Sequence, residues 1–248
     1  MTSVNTAPDL PLSAGPSDAA AANRDRAVSL RNRLVVVLAV TSGATDALGF
    51  LALGSAFTSV MTGNMVLFGV ATAQGDVSGM LLTAVAIGSF VAGAAIGARI
   101  AGNPVAGDPV WPAGVTRAMG VEFVLFAAVG VAWWLLGSHP PQAAYLPMLA
   151  ASAAALGLQS SAIQRFGVSG LSTTYLTGTL TSVVIKLTSG HGFRAVGHSL
   201  TILLGLVAGA GIMAVLLATA PALVPVLLLG TVLAVLLLVW ARREEMHR

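Results

Sequence analysis

The chain has 248 residues, enough for one ordinary domain, but 56% of them are hydrophobic, 8% are charged and the mean hydropathy is +0.89; this excludes a soluble enzyme and assigns an integral membrane protein whose first partner is the lipid bilayer. Twelve Lys and Arg against nine Asp and Glu give a net charge of +3, yet the cations stand singly at segment ends, as topology markers and not as a stripe for nucleic acid. The chain has no Cys, which excludes disulfides, thiolate nucleophiles and Cys-ligated metals, and its four His and scattered acids lack ligand spacing, so neither metal nor cofactor is expected.

Residues 1–33 carry Pro8, Pro11 and Pro16 among Ser, Ala, Asp and Asn, without hydrophobic periodicity, and read as a disordered cytoplasmic tail. Arg24, Arg26, Arg31 and Arg33 follow a long polar lead, which does not fit a cleavable signal peptide. From there a single membrane domain runs over 34–240, with eight apolar segments at about 34–54, 57–74, 78–100, 117–137, 144–163, 171–188, 195–219 and 222–240. Residues 241–248 form a short cytoplasmic tail.

Asp46 lies well inside the first segment, in SGATDALGF. A charged carboxylate at a helix centre costs on the order of 2.5 to 3.5 kcal/mol on insertion scales. It therefore has to be neutral, paired or in contact with a wet cavity, and it is the first candidate for a proton or cation relay. The second segment opens with TSVMTGN at 58–64, and the sixth carries nearly the same phrase, TTYLTGT at 173–179. Gly permits unusual dihedrals, while hydroxyl and amide groups can bond backbone freed by a break in a helix. Thr58, Thr62, Gly63 and Asn64, with Thr173, Thr177, Gly178 and Thr179, are thus the candidate lining of a polar site for a small-molecule or ion substrate. Gln159, on the fifth segment, joins the list.

A second echo pairs FVAGAAIGA at 90–98 with LVAGAGIMA at 206–214, six identities in nine at nearly the same offset. The two echoes together imply an internal duplication of four segments per half, over about 34–137 and 144–240. Counted this way, Ser161 stands opposite Asp46. If all eight segments cross the membrane, Arg99, Arg117 and Arg165 fall outside; if the second and sixth dip in and return, six segments cross, the halves are inverted and all twelve cations fall inside. The expected fold is all-α, with six crossings plus two re-entrant or broken segments; eight crossings is the alternative. Glu122, near the start of the fourth segment, is read as an interfacial partner of Arg117 or Arg99.

GATDALGF, TSVMTGNMVLFG, GLQSSAIQRF and TTYLTGTLTSVV together resemble the YoaK-like family of uncharacterised bacterial multi-pass membrane proteins, over roughly residues 34–240. That resemblance implies a shared membrane fold in a bacterial cell membrane and no established activity. Family members carry an amide near the GLQSSA stretch, where Ser160 and Ser161 stand here. A rival reading pairs Ser169 of GVSG with His198 as an intramembrane serine hydrolase similar to rhomboid proteases, but only about 29 residues separate them, too few for that arrangement. The expected function is a small-molecule permease coupled to protons through Asp46, not an enzyme; a non-transporting membrane scaffold is the alternative, and assembly as a homo-oligomer is left open.

Overall fold

The computed structural model describes residues 16–105, 107–167, 176–190, 192 and 195–246. These residues form nine α-helices and, among them, no strand: α1 (Pro16–Ala52), α2 (Met61–Gln74), α3 (Val77–Ala101), α4 (Ala113–Leu135), α5 (Gln142–Gln164), α6 (Leu176–Thr188), α7 (Gly197–Thr219), α8 (Val224–Ala241) and α9 (Arg243–Met246). Six of them, α1, α3, α4, α5, α7 and α8, are long and apolar enough to cross a bilayer. At 1.5 Å per residue α2 and α6 reach only about 20 Å, short of a hydrocarbon core of about 30 Å. The expectation of an all-α multi-pass membrane fold is borne out, and the six long helices agree with six crossings rather than eight.

The largest boundary difference from the sequence reading is at the start of the first helix. Helix α1 begins at Pro16, so residues 16–33 are helical where a disordered tail was expected. The run Ala19–Ala22 has the highest helix propensity available, Pro is favoured in a first turn, and a helix already nucleated in the membrane extends outward at little cost.

Contacts between helices fix their directions. Arg165, just after α5, donates from Nε to the carbonyl of Ala101 at 3.0 Å, Gly114 at the start of α4 lies against Ala101, and the backbone N–H of Trp111 bonds the carbonyl of Met246 at 3.0 Å. The starts of α1, α4 and α7 and the ends of α3, α5 and α8 thus share one end, which also holds Arg24, Arg26, Arg31, Arg33, Arg99, Arg117, Arg165, Arg242 and Arg243. At the opposite end Gly54 meets Leu82 and Tyr145, and Trp133 Nε1 donates to the carbonyl of Pro221 at 2.9 Å. Among the described residues that end carries no Lys or Arg.

Two crossings are made by glycine. A Cβ on Gly43 of α1 would strike the backbone carbonyl of Leu206 on α7, and one on Gly209 of α7 would strike that of Val40. On the other pair, a Cβ on Gly157 of α5 would strike the carbonyl of Phe90 on α3, and one on Gly93 of α3 would strike that of Ala154. Such approach of backbone to backbone is what small residues allow between membrane helices, where the attraction is dispersion rather than expulsion of water. The two pairs make the same kind of reciprocal contact: in each, a glycine on either helix lies against the backbone of the other.

Inside these pairs, α1, α5, α4 and α8 form a ring in which each helix packs on the next. Its apolar interior is split into two clusters along the membrane normal. One, toward the basic end, holds Leu38, Ala39, Met119, Ile163 and Val235; the other holds Ala44, Leu48, Phe126, Leu156 and Val232.

Candidate functional site

Between α1 and α2 the chain leaves helical geometry over residues 53–60 and folds back along α1, so that Ala56 lies against Gly49. Here Asp46 acts. Its Oδ1 accepts from the backbone N–H of Thr58 at 2.8 Å, from the Thr58 hydroxyl at 3.0 Å and from the backbone N–H of Ser59 at 2.7 Å; its Oδ2 accepts from the Ser59 hydroxyl at 2.6 Å. Four donors converge on one buried carboxylate, a charge-assisted set that offsets its removal from water. Asn64, buried in the first turn of α2, completes the fastening: Phe57 N–H donates to its Oδ1 at 2.8 Å, and its Nδ2 donates to the Phe57 carbonyl at 2.7 Å. The backbone exposed by the break is thus satisfied by two side chains, as a water-free setting requires.

Of the candidate site residues in this half, Asp46, Thr58 and Asn64 come together. Gly63 packs beneath the ring of Phe57, which stacks on Phe50 with centroids 5.1 Å apart. Thr62 faces outward and is exposed, one helical position away from the fastened face. In the second half Thr173 lies outside the described residues. Thr177 is exposed, Gly178 half-buried and Thr179 buried, so the TTYLTGT stretch is described only from its fourth residue onward.

Gln159 belongs to a different group. From α5 its Nε2 donates to the carbonyl of Leu38 at 3.2 Å and to the Ser42 hydroxyl at 2.8 Å. One turn around α1, the Thr41 hydroxyl donates to that of Thr231 on α8 at 2.8 Å, and Thr45 donates to the carbonyl of Thr41 at 2.7 Å. Thr41, Ser42 and Gln159 stand between the two apolar clusters, Thr45 and Thr231 sit one residue inside the second, and Glu122 on α4 lies between Met119 of one cluster and Phe126 of the other. Each helix of the ring therefore contributes polar groups at one level, about 20 Å from the far end of α4 at the helical rise.

Glu122 is the residue the sequence reading misplaced. It is fully buried, and neither carboxyl oxygen has a hydrogen-bond partner; it pairs with neither Arg117 nor Arg99. The reason is register: α4 starts at Ala113 and not near 117, which carries position 122 a turn deeper, and the stripe Val115, Ala118, Met119, Glu122, Phe126, Val129 faces the core. An i, i+3, i+4 count from Val115 locates it. Ser160 and Ser161, on the turn of α5 that follows Gln159, are buried and half-buried respectively.

At the basic end Arg165 forms an ion pair with Asp108 in the loop between α3 and α4. The hydrogen bond from the guanidinium holds the Asp108 carboxyl below the usual carboxylate range and raises Arg165 further. A cavity of about 660 Å³ opens there between α1 and α7, lined by Asp25, Ser29, Asn32, Arg33, His198 and Thr201. Ser169, the nucleophile of the hydrolase reading, lies outside the described residues, so its relation to His198 is not drawn. No cluster of three His, Asp or Glu suited to a metal occurs among the described residues.

No solved structure matches this chain. It is 31% identical over 172 residues to the UPF0700 transmembrane protein YoaK of Bacillus subtilis (strain 168), covering 68% of this chain and 72% of that protein, which agrees with the resemblance carried by the aspartate and threonine-glycine stretches. Residues 34–240 match the model of the family described as Protein of unknown function (DUF1275), and the chain belongs to that family.

Proposed function

We propose that the protein is a permease for a small neutral or cationic solute, built from two inverted halves in a bacterial inner membrane with both termini in the cytoplasm, and that it is not an enzyme. The observation that carries this reading is the break at residues 53–60: a non-helical segment returns into the membrane interior beside Asp46, and the short helix α2 then leads from that depth to the end opposite the basic one. Irregular backbone at membrane depth is the usual construction of a solute or ion site in transporters made of repeats.

The reciprocal glycine contacts support the duplication, and α6, which ends where α7 begins at the basic end, is the counterpart of α2 approaching from the other face. The one-sided distribution of Lys and Arg supports a cytoplasmic basic end. The ring presents hydroxyls, an amide and a carboxyl at its middle and no cation, which favours a neutral or positively charged solute.

The geometry changes the role proposed for Asp46. With four donors on its two oxygens it is a fastener of the broken segment, and proton coupling falls to another group. The test has two stages. Purified protein is screened against a metabolite panel for thermal stabilisation, where saturation at about 100 times Kd adds about 2.7 kcal/mol; each stabilising solute is then offered to proteoliposomes. Accumulation of a stabilising solute is the expected result. Solutes that bind tightly and are never moved would replace the permease with a membrane receptor or scaffold.

A further inference from the structure

We propose that Glu122 is a proton-binding site at the centre of the membrane, the coupling site of the permease. This deepens the reading above and depends on it for its purpose, though not for its chemistry.

The placement is unusual for a carboxyl group. Glu122 is 0% exposed and no donor reaches either oxygen, whereas Asp46, a few turns away in the same protein, has four. A group in such surroundings is expensive as an anion and tolerable as a neutral acid. The helices packed on α4 offer nothing to balance a charge. α3 carries only Arg99, in its last turn at the basic end, and α5 only Tyr145, near the opposite end. α8 carries no titratable side chain between Val224 and Ala241. On α4 itself Arg117 is exposed to the outside of the bundle.

Two further observations point to a ligand rather than to packing. Glu122 occupies the level at which all four ring helices turn polar, in contrast to the apolar clusters above and below. Ser152 on α5, a helix that packs on α4, also has a buried hydroxyl without a partner. In the resting state the Glu122 carboxyl holds a proton taken from water at one face. When the ring opens toward the other face, the proton leaves to water there and the carboxylate is transiently solvated. Only an O–H bond is made and broken, and the net result is one proton carried across. A sodium ion is the rival occupant, but it requires about six oxygen ligands, and nothing in the structure gathers them on this residue.

Infrared difference spectroscopy on proteoliposomes reads the proton directly and needs no substrate. At neutral pH the protein is expected to show the C=O stretch of a neutral carboxylic acid in an apolar setting. This band is lost in Glu122→Gln, shifted in Glu122→Asp and unchanged in Asp108→Asn, which alters a loop carboxylate outside the membrane interior. A band that survives intact in Glu122→Gln overturns the proposal, and so does one removed by added sodium chloride at constant pH. If the band behaves as expected while every stabilising solute stays outside the liposomes, the proton site stands and the permease reading falls.

Discussion

Two buried carboxylates in one membrane domain are handled in opposite ways, and substitution should separate them. Asp46→Asn leaves an amide oxygen for the three N–H and O–H donors at Oδ1 but removes the charge that strengthens them, and sets an NH₂ against the Ser59 hydroxyl. Hydrogen bonds to a charged acceptor contribute about 1.5–3 kcal/mol against about 0.5–1.5 for neutral ones, so the variant is expected to unfold well below the parent temperature in detergent. Glu122→Gln keeps shape and neutrality and is expected to unfold within a few degrees of the parent, or above it; a loss as large as that of Asp46→Asn would mean that Glu122 is bonded after all. The Asp108–Arg165 pair belongs to the same scale. A carboxylate whose folded value is depressed contributes stability above the usual carboxylate range and loses it as pH falls through the folded value. Protease cutting of the 102–112 loop should therefore rise in Asp108→Asn at neutral pH, and the parent should approach the variant only in strong acid. At this scale the sequence was half legible. Asp46 announces itself as a charge in an apolar run. Its partners are less visible, because hydroxyls and backbone N–H groups twelve and thirteen residues away become donors only once the chain doubles back. Glu122 was concealed by a helix start four residues earlier than hydropathy indicates, since Pro112 admits a helix that the apolar window does not yet register.

Among the helices, the glycine crossings are the feature most open to test. Gly43→Ala and Gly157→Ala each place a methyl against a backbone carbonyl of the partner helix, which cannot rotate away as a side chain can. Overpacking of this kind costs about 1–3 kcal/mol, and the matching geometry of the two contacts predicts similar losses at the two sites in thermal unfolding. Gly69→Ala and Gly211→Ala, with open space around the new methyl, are the controls and should be neutral or gain about 0.5–1 kcal/mol from helix propensity. Unequal losses at positions 43 and 157 would argue that the two crossings only look alike. Five of the six long helices were legible to within about four residues because apolar length is a strong signal, and α1 was legible at its end but not at its start. The two short ones were legible as exceptions because Thr, Gly and Asn cluster where lipid-facing residues would otherwise stand. The α1–α7 and α3–α5 pairings were not, since small-residue spacing marks a contact face without naming its partner.

For the molecule as a whole, the account rests on six crossings with the two halves in opposite orientation, because only that arrangement lets α2 and α6 reach the interior from opposite faces. The native chain has no Cys, so single cysteines report without background. Gln74 and Gln142 are exposed residues beside the α2–α3 and α4–α5 turns, and Ser189 is exposed just after α6. The most direct measurement is labelling of Gln74→Cys, Gln142→Cys and Ser189→Cys in intact cells by a thiol reagent that does not cross membranes. The account predicts that the first two react from outside and that Ser189→Cys reacts only after the cells are opened. Protection of Gln74→Cys and Gln142→Cys in intact cells would contradict it, because both positions are cytoplasmic when eight segments cross.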